Sequence, residues 1–119
     1  MATGDVLFAS RVFRWAAIYG LISLAPLYLL PLPALEPHIR LGFIGVALAF
    51  QWVFWVIGDN PRHYRTMMLP AVAEKLVFGL PALALVALGR TPGLIAGFAL
   101  VDLVLGLAFF VAWRRTSPS

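Results

Sequence analysis

Two carboxylates and one amine lie in stretches that otherwise read as lipid-soluble. Glu74 and Lys75 are neighbours in AVAEKLVFGLP, Ala71 to Pro81, and Asp102 stands alone in ALVDLVLGLAFF. A carboxyl group held away from bulk water can exchange a proton with a bound molecule, accept a hydrogen bond from a ligand, or pair with an ammonium group. Glu74 and Asp102 are therefore the candidates for proton transfer. Tyr19, Ser23 and Gln51 add hydrogen-bonding groups in similarly apolar company, and Trp52, Trp55, Phe78 and Phe109 add aromatic walls. With Lys75 these residues make a candidate ligand-binding set of ten.

Composition decides what positions them. Of 119 residues 62% are hydrophobic and 12% charged, with a mean hydropathy of +0.94, which belongs to membrane proteins rather than soluble domains. A bilayer core about 30 Å thick is crossed by roughly 20 apolar residues in a helix. Four such runs lie between the charged positions Arg14 and Glu36, Arg40 and Asp59, Arg65 and Arg90, and Arg90 and Arg114. They predict spans at about 12–31, 41–58, 67–88 and 92–113 in a single domain of residues 1–119. PLPALEP (Pro31 to Pro37), GDNP (Gly58 to Pro61) and GRTPG (Gly89 to Gly93) supply the breaks. Short connections make consecutive spans antiparallel neighbours, so the expected fold is all-α, a transmembrane antiparallel four-helix bundle. Arg11 and Arg14 before an apolar run resemble the start of a signal peptide, but the run is long and is read as a retained helix.

Orientation follows from the basic residues. Arg11, Arg14, Arg62, Arg65, Arg114 and Arg115 fall on one side and only Arg40 and Arg90 on the other, which predicts cytoplasmic termini. Trp15, Trp52, Trp55 and Trp113 all fall near that same side, as indoles at a membrane interface do. The net charge of +4 suits anionic headgroups and is too dispersed for nucleic acid. Membrane lipids and a hydrophobic small molecule are the expected partners.

At about 1.5 Å rise per residue, Glu74 and Gln51 lie about 10 Å inside the cytoplasmic ends of their spans, and Asp102 about 16 Å. Helical spacing puts Trp15, Tyr19, Ser23 and Pro26 on one stripe and Ala47, Gln51, Trp55 and Gly58 on another. Pro70, Glu74, Phe78, Pro81 and Leu85 form a third, and Phe98, Asp102, Phe109 and Trp113 a fourth. Turned inward, the four stripes enclose an aromatic pocket in the cytoplasmic half, with kinks at Pro26 and Pro81. Glu74 and Lys75 are about 100° apart around a helix and cannot point the same way. Either Lys75 snorkels to the headgroups while Glu74 faces in, or Lys75 turns in to pair with Asp102. A contact of the second kind that only fixes helix register explains the same residues without a ligand.

Other classes find little support. There is no cysteine and there are only two histidines, His38 and His63, so no metal site is expected. No phosphate loop, zincin motif, Ser-His-Asp set or dinucleotide fingerprint appears, and no cofactor is expected. Gly93 to Gly97 matches GxxxG, and Ala16 to Gly20 is a small-xxx-small match. Both suit packing within the bundle, or a homodimer or larger membrane complex.

The GDNPRHYR loop after the second span, the acid early in the third and the acid in the middle of the fourth resemble small bacterial four-span proteins of the DoxX-like kind. More distantly they resemble the EXPERA-type domain of sterol isomerases and sigma-2-receptor-like proteins. The resemblance runs from about Trp52 to Trp113. It implies a bacterial inner-membrane bundle holding a lipid-like molecule in a cytoplasm-facing cavity. It also implies that an isomerase-like proton transfer, if there is one, falls on Glu74. Where those enzymes use a histidine and a second acid, around the second span, this chain has Gln51 and tryptophans, so binding carries over rather than catalysis. Small multidrug exporters match in size and work as dimers, but they depend on a glutamate in the first span, where Tyr19 and Ser23 stand here. Accessory-subunit and proton-coupled-transporter readings, the latter through Glu74 and Asp102, are the alternatives.

Overall fold

The computed structural model describes residues 3–29 and 36–117. Four helices account for nearly all of them: α1 (Thr3–Leu29), α2 (Pro37–Asp59), α3 (Met68–Ala87) and α4 (Leu94–Arg115), with one 3-10 turn, Arg65–Met67, leading into α3. Each helix, with that turn counted into α3 and α1 taken from Gly4, is long and apolar enough to cross a membrane, at 22 to 26 residues. Helix is the physical answer to such runs, because a chain in hydrocarbon must satisfy its own backbone groups. The chain is a multi-pass membrane protein by length and composition, folded as four packed helices in a body of 49 × 28 × 18 Å.

The punctuation acts largely as its chemistry dictates. Glu36 is extended ahead of Pro37, whose ring is pre-set for the first helical turn of α2. Residues 31–35 of the expected PLPALEP break lie outside the described residues. Gly89 takes φ +72° after α3, where the Arg90 amide donates to Leu85 O at 2.9 Å and the Gly89 amide to Val86 O at 3.0 Å. That pair of bonds is a Schellman stop, and the left-handed conformation is why a glycine stands there. Pro26 and Pro81 lie inside α1 and α3. The spans differ from expectation chiefly at the start, where α1 begins at Thr3. Its extra turns are fastened from outside: Asp5 accepts from Arg115 Nε at 2.8 Å, and the same guanidinium lies over Phe8.

The helices associate mainly as two pairs, α1 with α2 and α3 with α4; α1 also packs on α4, while α2 and α3 are neighbours that touch only lightly. The contacts between the pairs gather at the arginine-rich end. There the Phe13 and Phe109 rings stack at 4.1 Å, and Phe54 leans on Phe109 at 4.9 Å, so one aromatic cluster ties α1, α2 and α4. Met68 and Ala71 complete this core from α3.

The inward faces are not the aromatic stripes expected from the sequence. Ala9, Phe13, Ala16, Ala17 and Gly20 face inward on α1, whereas Trp15 is 68% exposed and Pro26 is exposed. On α2 the buried set is Ile44, Gln51, Phe54, Ile57 and Gly58. On α3 it is Met68, Ala71, Lys75, Gly79 and Ala82, and on α4 Ala99, Gly106, Phe109 and Ala112. Much of each expected stripe is thus displaced by about one residue, roughly 100° of rotation. The cause is that lipid tails are as apolar as any side chain, so helices meet where small residues let backbones approach, and bulky apolar groups such as Trp15 and Trp52 can turn outward.

Candidate functional site

Close approach of α3 and α4 creates the polar cluster. A Cβ built on Gly79 would lie 2.7 Å from Leu103 Cγ, and one on Gly106 would lie 3.2 Å from Lys75 Cβ. With no side chain at Gly106, the Lys75 stem runs along the face of α4. Its ammonium ends 3.4 Å from Asp102 Oδ1 and 3.5 Å from Glu74 Oε1, and 5.1 Å from the centre of the Phe54 ring. The Lys75 side chain is 4% exposed, and those of Glu74 and Asp102 are 18% exposed. Lys75 thus adopts the inward course and pairs with Asp102. Glu74 and Lys75 leave the helix in different directions, yet the four-carbon stem lets the ammonium swing back to within 3.5 Å of Glu74 as well.

The cluster is incompletely bonded. Charge-assisted hydrogen bonds are typically about 2.7–2.9 Å long, and both contacts to Lys75 exceed that. Glu74 Oε1 is buried and receives no hydrogen bond among the described residues. One ammonium faces two carboxyl groups from different helices, above an aromatic face that itself favours a cation. Such a site can hold a polar head that brings further donors.

The other expected residues are distributed differently. Gln51 is buried, but it is seated against α1 in the space left by Gly20. Its Nε2 donates to Ala47 O at 2.7 Å, and its Oε1 has no donor among the described residues. Tyr19 and Ser23 are half-buried on α1. Trp52 is 73% exposed and turned away from the other helices, and Trp55 is exposed beneath the Arg14 guanidinium at 5.4 Å. Phe78 is half-buried beside Gly79. Phe109 is fully buried in the aromatic stack, one ring away from Lys75 through Phe54. Glu74, Lys75 and Asp102 therefore come together, with Phe109 near them, while Trp52, Trp55 and Gln51 face elsewhere.

Sequence reading missed Phe54 and Gly106. Gly106 stands four residues after Asp102 and so shares its helix face, a signal that was present in the spacing. Phe54 carried no comparable signal, because α2 holds several aromatic residues at that level.

Several other charged groups near the arginine-rich end are engaged. Arg14 pairs with Asp59 at 2.6 Å, and Ser10 donates to Gly58 O at 2.6 Å. Arg65 Nε donates to Trp113 O and Thr116 O, where α4 runs out of intrahelical donors. At the other end Arg40 donates to Tyr28 O at 2.8 Å, doing the same for α1. Among the described residues no three His, Cys, Asp or Glu side chains are grouped as metal ligands. An open groove of about 530 Å³ lies between α1 and α4, and none of the ten expected residues lines it.

Fold and site together define a multi-pass helical membrane protein with an ion cluster buried between its third and fourth helices. Comparison with known proteins gave no match: no family model, curated protein or solved structure matches this chain.

Proposed function

We propose that the chain is an integral protein of a bacterial cytoplasmic membrane, an antiparallel four-helix bundle with both termini cytoplasmic, that holds a lipid-like small molecule at Glu74, Lys75 and Asp102. The observation that carries this reading is the under-bonded cluster: a lysine shared at 3.4 and 3.5 Å, so that the buried Glu74 Oε1 it faces receives an ion-pair contact but no hydrogen bond. An incompletely satisfied ion cluster among apolar helices is unfavourable, and a ligand head that donates to Glu74 relieves it. Glu74 accepts from that head, Asp102 is the counter-charge to Lys75, and Phe54 flanks the site. Entry is from the membrane between α2 and α3, the least closely packed neighbours. The resemblance of the Trp52–Trp113 region to DoxX-like proteins fits this reading, as does the excess of arginine on the side assigned to the cytoplasm. Binding, not turnover, is the activity.

One observation favours a second reading. The Lys75–Asp102 contact joins α3 and α4 where Gly79 and Gly106 bring them close, and by itself it fixes their register in an accessory subunit. Native mass spectrometry of gently purified protein separates the two. The ligand reading expects a retained small lipid that Glu74→Gln releases. It fails if nothing is retained and Glu74→Gln changes neither retention nor stability. Loss of stability in Glu74→Gln and Asp102→Asn, with no molecule retained by the wild type, favours the accessory subunit.

A further inference from the structure

We infer that the groove between α1 and α4 binds an anionic phospholipid, its phosphate on Arg11 and an acyl chain along Val12, Trp15 and Leu105. This site is separate from the Glu74–Lys75–Asp102 cluster, and neither depends on the other.

The groove, about 530 Å³, is open along one side and lined mainly by apolar groups. Its α1 wall recurs at helical spacing through Leu7, Phe8, Val12 and Trp15, so one face of that helix supplies it. The room comes from small residues: Ala108 lies in the α4 wall, and a Cβ on Gly4 would meet nothing within 4 Å. Phe8 is held in place by the Arg115 guanidinium at 4.4 Å.

Charge selects the occupant. Arg11 is the only charged residue in the lining, is exposed, and has no hydrogen bond, ion pair or ring contact among the described residues. Its neighbours are engaged: Arg14 with Asp59, Arg65 with the carbonyls ending α4, and Arg115 with Asp5. Asp5, the acid nearest to Arg11 along the chain, is therefore already neutralised. A guanidinium over an apolar slot matches a phosphate with a hydrocarbon tail, because its planar fork meets phosphate oxygens in pairs. Depth agrees, since the exposed Trp15 one turn further along α1 marks the headgroup boundary. A soluble anion leaves the apolar wall unused. A second copy of the chain would bring its own exposed Arg11 and Arg114 to the same face.

Delipidated full-length protein in neutral detergent is offered phosphatidylglycerol or phosphatidylcholine of identical chains, and retained lipid is counted by native mass spectrometry. Phosphatidylglycerol is expected to be retained about fivefold better, the preference that one basic residue gives for an anionic lipid. Arg11→Gln, at an exposed and unpaired position, abolishes that preference without moving the melting temperature, and Ala108→Phe, which fills the slot, reduces retention of both lipids. Equal retention of the two lipids by the wild type, or unchanged preference in Arg11→Gln, overturns the inference. So does a doubled mass with no lipid retained, which puts a second copy on the groove. If Ala108→Phe does not fold, the wild-type preference and Arg11→Gln decide alone.

Discussion

Removing the Lys75 ammonium leaves Glu74 and Asp102 facing an apolar interior with no cation between them, whereas removing the Glu74 charge leaves Lys75 still paired with Asp102. Breaking one side of a buried ion pair typically costs about 3–5 kcal/mol, chiefly through the charge that stays behind. Lys75→Met is therefore expected to destabilise the protein by about that amount, and Glu74→Gln by about 1 kcal/mol or less, since its Oε1 accepts no hydrogen bond. Denaturant titration in mixed micelles measures both. Equal losses would mean that the cluster is a fully satisfied network and not a site with a place left for a ligand. The presence of these three residues in the membrane was legible from their types alone. Their convergence was not, because it depends on the reach of one flexible side chain and on the missing Cβ at Gly106.

At the level of the helices, the glycines sort into those that a neighbour covers and those that it does not. Gly79 and Gly106 lie under Leu103 and Lys75, while Gly97 has nothing within 4 Å of a built Cβ. Gly106→Val is expected to cost about 1–3 kcal/mol through overpacking, and Gly97→Ala to be neutral or stabilising by up to about 1 kcal/mol, because an uncrowded alanine favours helix. Thermal unfolding of the two variants side by side tests this; a penalty for Gly97→Ala as large as that for Gly106→Val would reveal a partner on that face. Spans and breaks could be read from the sequence because charges, prolines and glycines interrupt the apolar runs. Which face of each helix turns inward could not be read from aromatic residues. In a soluble bundle Trp15 and Trp52 would mark the core, but here lipid accepts them, and the centre goes to alanines and glycines around the Phe13, Phe54 and Phe109 rings. The same inversion made Ala16 and Gly20 packing residues within the chain and left Gly93 and Gly97 outward.

For the whole molecule, the proposed orientation is directly measurable, since the absence of cysteine makes single-cysteine variants clean reporters. Cysteines at His63 and Ser117 are expected to react with an impermeant maleimide only in inverted vesicles, and one at Thr91 only in right-side-out cells. Labelling of all three from one side would end the four-span topology. The division into two helix pairs has a bearing on biogenesis. Arg40 closes the end of α1 from within the first pair, and Gly89 turns the chain between the members of the second. Each half can thus leave the translocon already zipped, with the Phe13, Phe54 and Phe109 rings acting as the latch when the later half arrives. Two separately expressed halves, cut within residues 60–64, should reassemble in the membrane, and replacing Phe109 by alanine should leave both inserted but unmated.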